Sequence, residues 1–324
     1  MFKILLDFFK IKIKLKILGI VMRMIKAIFL PLLIIILVGI AFFTFRAKDS
    51  GTNQSGDTLI LTTIRPLTMA VNEICRDVSK ISVREITNGY MDSHSCFHDF
   101  SLTTKQVSDI EKSFLIVING ASLEPFMKNI KDRNIVNSSE SIEIIEHKNE
   151  KNPWIWMSLS NYLEQIKNIY FGIFNTKKQD NNKLVQEDYE KISQNYDRYK
   201  KSIEDKQLEW KSKFEKFKGT KVLTISNEFD YLLKDFGLEP IHLIDEHVHG
   251  SLSPRNVSNA IKIIEDGKYK FYLSSNDKYC KIFDQTKAKS VKLDLIKSQD
   301  KLSYIEEMDK NLNLLFLNLK ESYE

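Results

Sequence analysis

The sequence predicts an α/β protein of two lobes, each with a mainly parallel sheet flanked by helices, joined by one long rigid α-helix. Short apolar runs alternate with amphipathic stretches in both halves of the 324-residue chain. A stretch without Gly or Pro, from 173 to 218, lies between the two halves. Apolar residues make up 43% and charged residues 28% of the chain, which is the balance of a folded protein.

An N-terminal part precedes the predicted folded body. Residues 1–26 are basic, and residues 27–45 are uncharged and mostly apolar, close to the ~20 residues that a helix needs to cross a bilayer. Residues 46–56 are polar and predict a flexible spacer. The basic flank places the N-terminal side in the cytoplasm, so the body is expected to be exported. The apolar segment is either a cleaved signal peptide, with Met22 or Met24 as the start, or an uncleaved anchor.

The first lobe is predicted to span residues 57–182. It begins with a β-type run at 59–64, followed by apolar positions on helical spacing at 69–74. The continuous apolar run 114–118 ends at an Asn-Gly pair and is typical of a strand inside a parallel sheet. This alternation of strand and helix predicts an α/β lobe.

The linking helix is predicted to span residues 183–218 and to end at Gly219. Apolar and aromatic residues follow a spacing of three and four, with one position skipped. They are Val185, Tyr189, Ile192, Tyr196, Tyr199, Ile203, Trp210, Phe214 and Phe217. A coiled-coil dimer is the competing interpretation, but such seams prefer Leu, Ile and Val. The aromatic stripe therefore favours packing against a globular surface.

The second lobe is predicted to span residues 219–324 and to finish in a closing helix. Strands and helices alternate in it as in the first lobe. The predicted strands are 222–225, 241–244 and 270–273, and the predicted helices are 230–236, 253–265 and 277–287.

Charge and motif content exclude several functions. The net charge of +5 comes from residues 1–47, where eight basic residues and one acidic residue give +7 and leave −2 for the rest. A near-neutral body lacks the basic surface that nucleic acids require, so no nucleic-acid partner is expected. The chain contains no HExxH, no glycine-rich phosphate loop and no Gly-x-Ser-x-Gly elbow, which predicts that it is not an enzyme.

The chain has three cysteines, Cys75, Cys96 and Cys280. This odd number leaves at least one thiol unpaired or paired between molecules. Their separations fit no zinc-knuckle spacing.

Seven motifs in order resemble the periplasmic zinc/manganese solute-binding protein family of ABC importers. The resemblance covers about residues 59–320. The motifs are LTTIRPL, HDFSLTTKQVSDIEKSFLIVINGASLEPFM, NPWIWMSL, TKVLTISNEFDYLLKDFGLEP, LSPRNV, VKLDLI and SYIEEMDKNLNLLFLNLK.

The resemblance implies metal ligands at two positions, His98 and Asp294. Two further ligand positions of the family hold Trp154 and Ser226, and an acidic position of the second lobe falls near Ser274 or Ser275. An indole cannot ligate a metal, because its only nitrogen carries a proton. Of the family's histidine-rich loop, only His147 is present.

Neighbouring residues could rebuild the site. His94 and Cys96 flank His98, and Asn227 and Glu228 follow Ser226; a soft Cys with two His suits zinc or copper(I). A separate local site could form in the segment DEHVHG from His247 and His249, with Asp245 and Glu246. An ordinary polar loop is the competing interpretation of both segments.

The implied function is an extracytoplasmic solute-binding component of an ABC-type metal uptake system. Zinc is the expected ion and manganese the alternative. The expected partners are an ABC permease in the inner membrane and, through it, a cytoplasmic ATPase. We expect a monomer that is periplasmic or extracytoplasmic, tethered by its N-terminal helix or released after cleavage. The alternative is a degenerate member that has lost metal binding and acts as a tethered surface or adhesin-like protein.

Overall fold

The structure, a computed structural model, describes residues 58–90, 97, 100–176, 183–244, 253–297 and 302–323. All of these belong to one compact unit, residues 56–324. The predicted signal or anchor segment 27–45 lies outside the described residues. Within the described ranges, no helix combines the length and the apolar character needed to cross a membrane.

The first lobe contains a four-stranded parallel sheet in the order β2-β1-β3-β4. Its strands are β1 (Thr58–Thr62), β2 (Ile81–Glu85), β3 (Leu115–Ile118) and β4 (Ile135–Asn137). Helices α1 (Arg65–Ile74) and α2 (Thr104–Lys112) connect the first three strands. β1 is buried along its whole length, and its alternate side chains enter two apolar clusters, Ile60 one and Leu61 the other. A central strand covered on both faces therefore has a continuous apolar sequence.

The second lobe repeats this plan with a parallel sheet in the order β10-β9-β7-β8. Its strands are β7 (Lys221–Thr224), β8 (Glu239–His242), β9 (Phe271–Ser274) and β10 (Lys289–Lys292). The predicted architecture of two parallel α/β lobes is confirmed. The helices of this lobe are α5 (Asp230–Asp235), α6 (Pro254–Glu265), α7 (Asp277–Ile282) and α8 (Tyr304–Tyr323).

The linking helix is α4 (Gln186–Phe214), extended by a 3₁₀ turn at Glu215–Phe217. Its predicted aromatic stripe is buried, except that Val185 lies just before the helix and is 50% exposed. The stripe packs on α3 (Leu159–Asn175), where the rings of Tyr170 and Tyr196 stack with centroids 4.2 Å apart. The interpretation of the stripe as a packing surface within one molecule is confirmed by these contacts.

Several elements differ from the sequence-based expectation. β2, β4 and a short hairpin, β5 (Glu146–His147) with β6 (Glu150–Lys151), were not predicted. β2 is half-buried throughout and has only two apolar residues, and the hairpin strands have two residues each, so their apolar patterns are too short to predict a strand. The predicted helix 277–287 was wrong at its end, because α7 stops at Ile282. Cys75 and Cys280 are free thiols, and Cys96 lies outside the described residues.

The two lobes are joined by direct contacts as well as by α4. The Trp156 indole N–H donates to the Leu295 carbonyl at 2.8 Å, and the Tyr304 hydroxyl donates to the Trp156 carbonyl at 2.7 Å. The Tyr162 and Tyr304 rings stack at 3.5 Å between centroids. One apolar cluster contains residues of both sheets and of α4. A shared core of this kind holds the lobes in one arrangement.

Candidate functional site

The carboxyl ends of the second sheet carry most of the described candidate residues. Ser226 follows β7, His242 ends β8, Ser274 ends β9 and Asp294 follows β10. Parallel strands end at the same edge of a sheet, which is where ligands bind in open α/β sheets. With neighbouring strands about 4.8 Å apart, β10 and β8 lie about 14 Å from each other along this edge.

Asp294 is half-buried and fixed at its strand end. Its backbone N–H donates to Asn311 Oδ1 at 2.8 Å, and its Oδ1 accepts from the Ile296 N–H at 2.6 Å. Ile296 has a φ of +56°, so the chain turns sharply after the strand. Within the described part of the chain, Oδ2 of Asp294 has no hydrogen bond and is available to a ligand.

A segment of the first lobe lies against the strand end that carries Asp294. Trp156 bonds to Leu295, and the Trp154 ring contacts the Trp156 ring with centroids 5.2 Å apart. Trp154 is buried, and its backbone N–H donates to Asn152 Oδ1 at 3.0 Å. The structure therefore places the first-lobe segment that contains Trp154 beside the strand end that carries Asp294, and the Trp154 indole contributes packing in place of a ligand.

Glu228 is the second carboxylate at this edge. It is half-buried and accepts a hydrogen bond from the Ser275 hydroxyl at 2.6 Å. Burial raises the pKa of Glu228, while hydrogen bonds from Ser275 and Ser226 and the charge of Lys297 act in the opposite direction. Serines at or near two family ligand positions thus hydrogen-bond a carboxyl group that the sequence predicts only as a further candidate.

Other predicted site residues lie outside the described residues. These are His94, Cys96, His98, Asp245, Glu246, His247 and His249. His98 and the DEHVHG segment therefore stay predictions.

A second group of ligand-type side chains lies where the first lobe meets β8. His147 Nε2 is 2.6 Å from Asp230 Oδ2, and His242 Nε2 is 2.7 Å from Asp230 Oδ1. The two imidazole rings meet edge to face with centroids 5.0 Å apart. One donor atom from each of the three residues lies within 4.8 Å of the other two. In the described part of the chain, this is the one group of three or more such residues placed to hold a metal ion.

Local structure places each member of this group. Lys148 and Asn149, with φ values of +50° and +68°, form the two-residue turn of the β5–β6 hairpin, so His147 stands at the end of β5. Asp230 begins α5 and is 1% exposed, whereas His242 ends β8. A buried carboxylate requires hydrogen-bond donors, and the two imidazoles supply them.

The chain matches one known protein family over most of its length. Residues 60–316 match the family described as ZnuA, zinc-uptake complex component A periplasmic. The chain belongs to this family. ZnuA proteins are periplasmic, non-enzymatic solute-binding components that bind metal ions and serve ABC importers, so the predicted family and the prediction of a non-enzyme are confirmed.

Solved structures share the ZnuA fold with this chain. A manganese-bound variant of a periplasmic metal-binding protein from candidatus Liberibacter asiaticus is 22% identical, with a TM-score of 0.66 over 81% of this chain and 100% of that chain. A zinc(II)-bound variant of AdcAII from Streptococcus pneumoniae is 19% identical, with a TM-score of 0.67 over 82% and 99%. The metal-dependent lipoprotein YcdH from Bacillus subtilis is 20% identical, with a TM-score of 0.67 over 81% and 99%.

Sequence reasoning missed the group of His147, Asp230 and His242 in this ZnuA protein. From the sequence, His147 is only the single histidine in the region of the family's histidine-rich loop. It is 83 residues from Asp230, which in turn is 12 residues from His242. No local spacing rule joins residues so far apart, and only the hairpin signal at Lys148–Asn149 could have indicated that His147 is held in place.

Proposed function

We propose that this protein is the extracytoplasmic solute-binding component of an ABC-type zinc uptake system and delivers the ion to a membrane permease. Membership of the ZnuA family supports the solute-binding role. Similar folds occur in a zinc-bound and a manganese-bound protein, so manganese is the alternative ion. The family match gives no support to a surface or adhesin-like role.

The cargo ion is proposed to bind between the lobes, with His98, Asp294 and Glu228 as ligands. The observation that carries this proposal is the pair of carboxyl groups, Asp294 and Glu228, at one edge of the second sheet, beside the first-lobe segment that contains Trp154. One imidazole and two carboxylates are ligands that zinc accepts, with a fourth position left for water. Burial raises the pKa of Glu228, and a cation bound beside it would favour the ionised form of this carboxyl group.

Trp154 and Ser226 stand at two ligand positions of the family, so fewer ligands are available in this chain. We therefore expect weaker metal binding than a full set of ligands would give. His94 and Cys96 stay candidates for completing the shell. Removing Asp294 is expected to abolish binding of the cargo ion at this site, since its carboxylate is fixed by Ile296 and has Oδ2 available.

Metal titration of the full-length chain, stripped of metal by a chelator, tests the ion. Zinc, manganese and copper(I) are added separately while the melting temperature and the number of bound ions are measured. A ligand at a hundred times its Kd should add about 2.7 kcal/mol to the free energy of unfolding. His98→Ala and Asp294→Ala should each lose one bound ion, whereas Asp277→Ala, at an exposed acid of the same lobe, should not. No binding by any of the three metals would refute metal transport.

Delivery to a permease is tested in cells. Deleting the gene should lower the uptake of radioactive zinc from chelator-limited medium, and the wild-type gene should restore it. The His98→Ala gene should not restore uptake if the ion between the lobes is the cargo. Fractionation of the same cells tests the proposed location outside the cytoplasmic membrane, either tethered through residues 27–45 or released after cleavage. Size measurement of the released protein tests the monomer.

A further inference from the structure

We propose that His147, Asp230 and His242 form a zinc site that ties the β5–β6 hairpin to the second lobe and is separate from the site at Asp294. The proposal depends on these three residues and not on the proposed transport function. His242 is on β8 and Asp294 follows β10, and these two strands form the opposite edges of the second sheet. The separation of about 14 Å between these strands is too large for one ion to bind both.

The chemistry of the three donors favours zinc. Two imidazole nitrogens and one carboxylate oxygen are a ligand set that occurs in zinc sites with an open fourth position. Manganese and magnesium prefer shells made mainly of oxygen, so this set discriminates against them. The fourth position would hold water, because solvent reaches the site on the side of His147, whose side chain is 35% exposed. The side chain of Asp230 is only 1% exposed.

The distances require only a small adjustment. In a tetrahedral shell with bonds of about 2.0–2.1 Å, neighbouring ligand atoms are about 3.3 Å apart. The two Nε2–carboxylate distances are 2.6 and 2.7 Å, which is hydrogen-bond length. Zinc bound to one oxygen of Asp230 would replace the shared proton there and move that oxygen and its imidazole apart by about 0.6 Å, while the second imidazole, which now contacts the other oxygen, would turn toward the ion. His147 can supply this movement, because it stands on a two-stranded hairpin with an exposed turn.

Neighbouring contacts already hold the hairpin base against α5. The Ile145 N–H donates to the Tyr231 hydroxyl at 2.9 Å, and that hydroxyl donates to the Asn152 carbonyl at 3.0 Å. The Asn152 side chain donates to the Asn227 carbonyl at 2.7 Å. The base of the hairpin is therefore fixed on the second lobe before any ion binds, which lowers the entropy cost of assembling the three ligands.

A bound ion would connect the two lobes at a further point, in addition to α4. His147 comes from the first lobe, and Asp230 and His242 come from the second lobe. Zinc at this point would stabilise the present arrangement of the lobes by an amount that depends on the free zinc concentration.

Zinc binding to the full-length chain in an Asp294→Ala background tests this site alone. We expect one zinc ion per chain in that background, and X-ray absorption at the zinc edge should show two imidazole ligands. His147→Gln should weaken this binding at least about 100-fold, because losing a ligand costs more than the 10- to 100-fold typical of a residue that only orients one. Glu146→Gln, at the neighbouring exposed residue of the hairpin, should bind as the background does.

His147→Gln is chosen because its site is partly exposed, so the variant is expected to fold, as circular dichroism will verify. Asp230→Asn and His242→Gln are tested beside it and should show the same loss. Equal zinc affinity in the Asp294→Ala background with and without His147→Gln would overturn the proposal. So would the absence of zinc from the Asp294→Ala protein. Failure of the transport proposal has a different outcome, namely unchanged zinc uptake in the gene deletion.

Discussion

Glu124 gives the clearest test of the energetics at the first sheet's carboxyl edge. Its carboxyl group is buried and accepts hydrogen bonds from the Thr63 hydroxyl at 2.6 Å, the Asn119 N–H at 2.7 Å and the Gly120 N–H at 3.1 Å. Burial raises its pKa from the ordinary 4.5 to about 7, although the three hydrogen bonds favour the ionised form. Desolvation is therefore the larger effect.

The raised pKa determines how stability changes with pH. Between pH 4.5 and about 7 the folded protein holds a proton on Glu124 that the unfolded chain has released. The free energy of unfolding therefore falls as pH rises through this window, and the contribution is lost above pH 7. A pKa difference of this size corresponds to about 3 kcal/mol, since one pKa unit equals about 1.36 kcal/mol.

The Glu124→Gln variant should be less stable than the wild type at the low end of this pH window and more stable than the wild type at its high end. In the variant, the amide NH₂ takes the place of one carboxyl oxygen and faces the hydrogen-bond donor that this oxygen accepted from. The hydrogen bond lost in this way costs about 1 kcal/mol. The variant should be less stable than the wild type by about that amount at pH 4.5. Above pH 7 the wild type must bury a charge that the variant lacks, so the variant should be more stable by about 2 kcal/mol.

Urea unfolding followed by tryptophan fluorescence at several pH values between 4.5 and 8 measures this difference. Other titrating groups are common to both proteins and cancel in it. Glu140→Gln, at an exposed residue of the same lobe, controls for the loss of one charge. A difference between wild type and Glu124→Gln that stays constant with pH, or that grows in favour of the wild type, would show that burial does not dominate at this carboxyl.

Further predictions concern the backbone and the interlobe contact. Gly120→Ala should destabilise the protein by more than about 2 kcal/mol in urea unfolding, because φ is +83° and the new Cβ would overlap the Asn137 side chain. Gly219→Ala is its control and should cost only about 1 kcal/mol, since φ is +78° but no atom lies within 4 Å; equal losses would contradict the steric argument. Trp156→Phe should cost about 3 kcal/mol, because it leaves the buried Leu295 carbonyl unpaired and a cavity beside it, and a loss below 1 kcal/mol would be inconsistent with this account.

Much of the fold could be predicted because each main element has a local signature. β3 is a continuous apolar run, and the aromatic stripe of α4 follows the helical period over eight turns. Edge strand β2 could not be predicted in the same way, since its alternation contains only two apolar residues, Ile81 and Val83, and all five of its residues are half-buried. α7 ended earlier than expected because a helix end depends on tertiary packing more than on propensity.

The candidate site was predictable only in part. Asp294 is predicted from a motif position and Glu228 only as a neighbour of Ser226, and the structure locates both residues at one edge of the second sheet. The contacts that give these groups their properties, Ser275 on Glu228 and Ile296 on Asp294, come from folding and were not predicted.

By itself the sequence determined the class of fold, the order of its elements and the kinship with zinc-uptake binding proteins, because periodicity and motif order are local properties of the chain. Only the tertiary structure decided which polar side chains meet. His147 contacts Asp230, 83 residues away in the chain, because the hairpin base packs on α5. The buried carboxylate of Asp230 requires hydrogen-bond donors within about 3 Å. Burial and juxtaposition of this kind depend on the packing of both lobes, which no short stretch of sequence contains.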